Sequence, residues 1–495
     1  MQISHPVNDP SLISYHRPEL LKMLPGLELA MDCWHLLNTE SRGSAKEKYL
    51  DKEVGESKQA YMARLKRSAY TPIYRDSIKA YAGLLSRFQL VDPPQSLLDY
   101  EQDVDLQGSS IQAFWNRADE LAIRDGGCFI FVDMMGDNNA GTNFYDSLND
   151  GRHPYLNLIE RKDVINWSTS YYGGYERIEQ ATFRQVKSVA TEGYGSVVEA
   201  CYYDMRPGSV TEYRMKKSAN GWSQVQEGEP RLMSVPFVPL VWYGASTSRF
   251  AQGDIPLNGL AELSIQHYQS TSDLQELIRK CAMPVPVRKG VTTPDGQPKP
   301  LYLGPNTAID LGEGGDFKFE EPSGRSLYRH QKEIEHIEML MDRSGLNFLY
   351  GANIKTATEA SLRASQVASQ VSAVVRHKTS SFKTVIRLWA LYMGEQSQIT
   401  KESGLAISDS LINRPLDPNG VAQIINLTGN GMLSLETALR ELQRGGAIDP
   451  DLSIAEEVSR IRKDKAQAEA DQLSLMVKQQ EQSQPAEEQA QDESE

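Results

Sequence analysis

Cysteine is scarce and scattered: Cys33, Cys128, Cys201 and Cys281 form no CxxC pair and no metal-ligand spacing. That excludes a disulfide-stapled scaffold and the common zinc motifs, and it predicts a chain kept reduced in a cytoplasm. No stretch approaches the ~18 consecutive apolar residues that span a bilayer, and the start, MQISHPVNDP, has no basic region followed by an apolar one. Neither membrane insertion nor secretion is expected. Positive charge is also in short supply, with 52 Lys and Arg against 66 Asp and Glu, a formal charge of −14 and a sequence pI near 5.2. A basic face spread over the whole chain is therefore excluded, because counterion release needs clustered cations facing phosphates. The phosphate-cradling GxxxxGK[ST] loop, a GxGxxG after a strand, HExxH and GxSxG are all missing, so nucleotide hydrolysis is not expected and any motor work must come from another protein.

What is present is a long chain of 495 residues, 40% of them hydrophobic, enough for roughly three compact units at ~150 residues each. No internal repeat of 20 to 50 residues is visible. The first hundred residues are helical in character, and Pro72 divides two helices in YMARLKRSAYTPIYRDSIKAYAGLLSRF. GSSIQAFWNRADELAI predicts a helix over residues 109–124, capped by serine and ended by Gly126 and Gly127. From Cys128 to Tyr243 the pattern turns to strands, with Pro236 and Pro239 making VPFVPLVWYG an edge or irregular segment. Helix returns over 255–279, followed by a hairpin-rich block with PDG and EGG turns, then a helix over 327–343 with Ile334, Ile337, Leu340 and Met341 on one face.

After the polar stretch SGLNFLYGANIK comes the longest helix, opened by the capping-box pair Thr356 and Glu359 and running without a proline to Tyr392. Its first half repeats small residues four apart, Ala360, Ala364 and Ala368 beside Ser361, Ser365 and Ser369, a pattern that suits close helix packing or simply good helix propensity. Three short helices follow Pro418. From Lys465 the chain is rich in Gln and Glu, too polar to bury much surface, which predicts a disordered or frayed tail.

Few residues invite chemistry. His330, Glu333 and His336 stand three apart on one helix, the only spacing resembling metal ligands, and read more simply as a solvated face. Cys33 beside His35 reads as a core cysteine, because a nucleophilic pair needs an orienting third group. Asp103 and Asp105 could serve acid–base or cation roles, but solvated residues favouring a positive helix N-terminus explain them more simply. Arg343, Lys355, Arg363 and Arg376 with Lys378 read as surface charge or, in an oligomer, as contacts to phosphate.

The order of elements, an α+β module, helix, hairpin block, helix, short loop, very long helix and helical C-terminal region, resembles the portal proteins of tailed bacteriophages, the head-to-tail connectors. The stretches that carry the resemblance are YLDKEVGESKQAYMARLKRSAY, DVDLQGSSIQAF, VPFVPLVWYGA, LAELSIQHYQSTSDLQE and above all LGPNTAIDLGEGGDFKFEEPSG, within residues 49–462. The resemblance implies an α+β, mainly helical fold with a wing (1–254), a first stem helix (255–280), a β-rich clip (281–326), a second stem helix (327–343), a tunnel loop (344–358), a long wing helix (359–394), a crown (395–464) and an acidic tail (465–495).

It implies a function as well. Such proteins form a homo-oligomeric ring, usually of twelve copies, at one vertex of the virion capsid. Double-stranded DNA passes through it during packaging and ejection, and the ring contacts terminase large subunit, a head–tail adaptor, major capsid protein and scaffolding protein. They are made in the bacterial cytoplasm and are neither membrane proteins nor enzymes. No catalytic, cofactor or metal residues are implied. The candidate tunnel residues are Asn347, Asn353 and Lys355, and the candidate clip contacts are Arg288, Lys289, Asp295 and Lys299. Twelve copies at −14 would sum to −168, a field that repels a polyanion and keeps phosphates from sticking to the wall. A head-completion or minor capsid protein and, further off, a cytoplasmic enzyme are the alternatives.

Overall fold

The computed structural model describes residues 9–36, 45–134, 152–173, 175–190, 195–218, 221–281, 285–289, 315–320, 325–344, 357–407, 418–444, 447–449 and 452–482. Among these the fold is α+β with twelve α-helices, and it divides into two compact units, residues 1–406 and 407–495.

The first unit opens with α1 (Pro18–Trp34), α2 (Ala45–Tyr49), α3 (Lys58–Arg67) and α4 (Ile73–Leu85), with Pro72 at the N-cap of α4. A short strand β1 (Phe88–Val91) and α5 (Gln95–Asp99) lead to α6 (Ile111–Asp125). The Ser110 hydroxyl caps α6 by accepting from the Ala113 amide at 3.3 Å, and Gly126 ends it in the left-handed region at φ 78°. A side chain at Gly126 would meet the Asp254 carbonyl at 2.5 Å, so this turn requires glycine twice over. Ile111, Phe114, Trp115, Ala118 and Ala122 recur at helical spacing and are all buried.

Three strands form the central sheet: β2 (Gly127–Met134) lies between β3 (Pro154–Glu160) and β10 (Leu240–Gly244), all antiparallel. The meander β4 (Val164–Tyr172), β5 (Tyr175–Ala190), β6 (Ser196–Arg206), β7 (Ser209–Ser218) and β8 (Gly221–Glu227), with β9 (Arg231–Leu232) on β7, makes a second sheet whose strand order follows the chain. β10 (Leu240–Gly244) is an edge strand, as Pro236 and Pro239 ahead of it predict, and every residue in it is buried.

Then come α7 (Asn258–Cys281), the strand pair β11 (Val285–Lys289) and β12 (Asp316–Glu320), α8 (Arg325–Ser344) and α9 (Ala357–Met393). The second unit holds α10 (Pro418–Gly429), α11 (Leu435–Arg444) and α12 (Ile454–Gln482). The last helix runs past Lys465, where composition alone predicts a disordered tail. Ala, Gln, Glu and Lys are strong helix formers, and their propensity carries the helix on where hydrophobicity does not.

Buried charge organises the first unit. Arg124 grips Asp125 through two contacts of 2.7 Å and reaches Glu160 at 3.4 Å. Arg161, 2% exposed, donates to the carbonyls of Asp125, Gly253 and Ala251 at 2.8 to 3.1 Å. Burial pushes the Glu160 carboxyl up, but Arg124 and Lys162 overcome it and hold it down at about 2.

Candidate functional site

The region of interest is the run from α7 to α9. Leu260, Ala261, Ile265 and Tyr268 of α7 share one core with Ile337 and Met341 of α8, so the two helices pack along an apolar seam. His267, buried, meets Glu338 across that seam at 3.3 Å. The other side of α7 is fastened to the N-terminal helices: Arg67 pairs with Glu276 at 2.8 Å, Ser68 bonds Ser272 at 2.8 Å and Gln269 donates to the Tyr49 carbonyl at 2.8 Å.

Between these helices, among the described residues, β11 and β12 pair with each other and with no other strand. Their register sets Lys289 opposite Asp316 and Arg288 opposite Phe317. Opposite charges at facing positions favour this register. Phe317 and Phe319 stack edge to face at 5.2 Å, and Phe319 is half exposed. Of the candidate clip contacts, Lys289 is an exposed strand residue and Arg288 is its neighbour in β11, while Asp295 and Lys299 lie outside the described residues. The candidate tunnel residues Asn347, Asn353 and Lys355, and Thr356 of the capping box, also lie outside them.

At ~1.5 Å per residue the 37 residues of α9 make a rod of about 55 Å. Gly394, at φ 71°, follows it in the left-handed conformation. The small-residue stripe of its first half lies on side chains that are not described. The second half is deeply buried: Phe382, Ile386, Trp389 and Ala390 are 1% exposed or less. Trp115 of α6 lies 5.0 Å from the Phe382 ring and 5.7 Å from Tyr243 of β10.

In the middle of this packing sits an ion pair. Lys378 Nζ donates to Asp119 Oδ2 at 2.6 Å and to the Leu85 carbonyl at 2.7 Å, with both side chains fully buried. It also lies 4.7 Å over the Phe88 ring. The Tyr243 hydroxyl donates to Asp119 Oδ1 at 2.7 Å. Burial pushes the Asp119 carboxyl up to about 6 and the Lys378 ammonium down, each opposed by the partner's charge. One network thus joins α4, α6, β10 and α9. A slip of α9 by one turn would leave Asp119 buried without a cation, so the pair holds the rod in register.

This corrects the reading of Lys378 as a surface or phosphate-facing charge. A signal was there: Lys378 falls in phase with Phe382, Val385 and Trp389, on the apolar stripe rather than off it. Sequence reasoning passed over Asp119, Tyr243 and Arg161 for want of any local mark. Asp105 is a second correction. It is 5% exposed rather than solvated, and it braces its own loop by accepting from the Gln107 and Ser109 amides while pairing with Arg117 at 2.9 Å. Asp103 accepts from the Gly108 amide in the same loop.

His330, Glu333 and His336 stand on α8, and among the described residues no group of three or more His, Cys, Asp or Glu is placed to hold a metal. Cys33 is buried, its thiol pushed up to about 12 by burial. An open depression of about 300 Å³ at the end of α9 is lined by Arg387, Gln396, Ile399, Thr400 and Lys401, with no carboxylate, histidine or cysteine among them. No helix among the described residues is long and apolar enough to cross a membrane.

Residues 256–393 match the model of a family described as a domain of unknown function, DUF4055. The matched span begins just before α7 and ends on the last residue of α9. No curated protein matches the chain. Among solved structures, the neck of an empty gene transfer agent particle computed with C6 symmetry aligns at 12% identity and a TM-score of 0.36, over 83% of this chain and 99% of the other. The virion of a native gene transfer agent particle aligns at 13% identity and 0.37, over 83% and 97%. The neck of the native particle computed with C12 symmetry aligns at 12% and 0.36, over 75% and 89%. At such scores the likeness carries no functional weight.

Proposed function

We propose that this chain is a portal protein of a tailed-phage-like particle. Copies close into a ring at one capsid vertex, double-stranded DNA passes through the bore, and the β11–β12 end meets terminase and later a head–tail adaptor. Capsid and scaffolding proteins surround the ring. The carrying observation is the succession α7, separate strand pair, α8 and 37-residue α9, with α7 and α8 sharing one apolar seam. It joins the sequence stretches within residues 49–462 that resemble portal proteins. The protein belongs, on this reading, to the class of particle from which the neck structures come, although at their scores they lend it no support.

The proposed role needs no chemistry of its own, no cofactor and no metal. It needs a bore that tolerates a polyanion. The formal charge of −14 per chain suits a wall along which phosphates slide. Lys355, with Asn347 and Asn353 beside it in the segment between α8 and α9, would touch the DNA backbone, and Arg288, Lys289, Asp295 and Lys299 would contribute to docking at the clip. Negative-stain images and native mass of the purified chain should give rings of about twelve subunits with a central hole; a monomer or dimer would overturn the reading. Lys355→Glu should alter DNA packaging or retention while leaving ring mass unchanged, and unchanged packaging together with unchanged retention removes Lys355 from the wall.

A further inference from the structure

Along α9 the charge of this acidic chain reverses. From Ala360 to Met393 there is no Asp or Glu, whereas Arg363, Arg376, Lys378, Lys383 and Arg387 fall in that span. Lys378 is neutralised in the core by Asp119. Three of the others form a row. Arg376, Ser380, Lys383 and Arg387 follow at intervals of four, three and four, which sets them within about 60° of one another around the helix axis. That face is opposite the one carrying Phe382, Val385 and Trp389, which are buried. Arg376, Ser380 and Arg387 are exposed and Lys383 is partly buried.

Both ends of the row are extended by other segments. Lys383 Nζ donates to the Lys401 carbonyl at 3.2 Å, so the turn after α9 adds a fourth cation. Arg387 and Lys401 then line the open depression of about 300 Å³ together with Gln396 and Thr400. At the other end the loop after β10 sets Ser248 Oγ 2.9 Å from His377 Nδ1, with Arg249 exposed next to it in sequence. Among the described residues none of Arg249, Arg376, Lys383, Arg387 and Lys401 forms an ion pair. Glu395 accepts from the amide and hydroxyl of Ser96, and Asp92 meets the row's edge at the Thr400 hydroxyl, 3.5 Å away.

The lining selects the occupant. A protein partner draws its binding energy from apolar and aromatic anchors at the centre of a patch. Among the described residues from Val371 to Ile407 no large apolar side chain is exposed. The surface offers guanidinium, ammonium and hydroxyl donors, the groups that meet phosphate and sugar oxygens. No exposed aromatic ring is there for an unstacked base, which favours a duplex over a single strand. From Arg376 to Arg387 the row is roughly 16 Å long, about five phosphates of one strand.

We propose that this face of α9 binds the sugar–phosphate backbone of duplex DNA without regard to sequence, at a place distinct from the candidate tunnel residues Asn347, Asn353 and Lys355. It rests on the portal reading only for what brings DNA to the protein. An acidic wall lets a duplex glide; an unpaired row of cations gives it a local hold.

Anisotropy of a labelled duplex of about 30 base pairs with the full chain, in whichever assembly state it is isolated, tests this between about 20 and 200 mM salt. Each cation facing a phosphate adds about 0.9 to the slope of log affinity on log salt. R376Q/K383Q/R387Q should therefore flatten the slope by about 3 and weaken low-salt binding more than about tenfold. K22Q/K52Q/K66Q removes as many exposed charges elsewhere in the first unit and should leave both within about twofold. R376K/R387K keeps the charge and should bind within about threefold of wild type, separating lost charge from lost fold. No duplex binding at the lowest salt, or a slope that ignores the triple variant, overturns the inference. So does polyglutamate of matched charge binding as tightly, which would assign the row to an acidic protein. Rings whose binding ignores the triple variant leave the portal reading standing, whereas a monomer that binds through the row sinks that reading and keeps this one.

Discussion

Two long helices of this protein differ in what holds them. The second half of α9 is walled in by α6, β10 and the start of α5, with Trp389 fully buried and donating its indole N–H to Ser96 at 3.2 Å. The middle of α12 is exposed on every side. Their lengths, 37 and 29 residues, do not distinguish them. Burial does, and it separates a helix locked into its neighbours from one whose middle turns, residues 462–467, stand in solvent.

The largest break in that contrast should come from the ion pair. Lys378→Met leaves Asp119 buried beside an apolar group and should cost about 3–5 kcal/mol, read as a lower urea midpoint; adding Asp119→Leu should recover most of the loss, because the unpaired charge is then gone. A single variant as stable as the wild type would show that the pair does not hold α9. The next effect concerns pH. With its folded pKa held at about 2 against an ordinary 4.5, Glu160 adds stability that is present above pH 4.5 and lost as pH falls toward 2. The full contribution is at most roughly 3 kcal/mol, and Glu160→Gln should flatten the acid limb of a stability–pH curve by up to that amount. The smallest change sharpens the comparison from the other side: Ile461→Ala in unassembled protein should cost under ~1 kcal/mol, because the side chain is not enclosed in a single chain. A cost comparable to a core truncation would mean that α12 packs on its own.

Much of the fold is legible in the residues. Ser110, Gly126 and the spacing of Ile111, Trp115 and Ala118 mark α6 to within two residues, and Pro72 separates α3 from α4. Pro236 and Pro239 foretell an edge strand at β10. Gly394 ends the long helix. These are local signals, caps, turns and periods, and they survive into the tertiary structure because nothing there opposes them.

The site was less legible for a physical reason. A lysine is read as solvent-facing by default, and only a partner brought in from 259 residues away makes Lys378 a core residue. Asp105 misleads in the same way, because loop amides two and four residues on, together with Arg117, satisfy it where water was expected. The stretch after Lys465 misleads differently. Its low hydrophobicity predicts that it buries no core of its own, and residues 465–467, 470 and 471 are exposed, whereas its good helix formers set the backbone conformation as far as Gln482.

By itself the sequence determined the order of helices and strands, the strand pair between two helices, the rod and the acid excess, since each depends on neighbours a few residues away or on composition. Tertiary structure alone decided which charges are buried, which half of a long helix is enclosed and where the core runs out, because burial is a property of distant segments meeting in space.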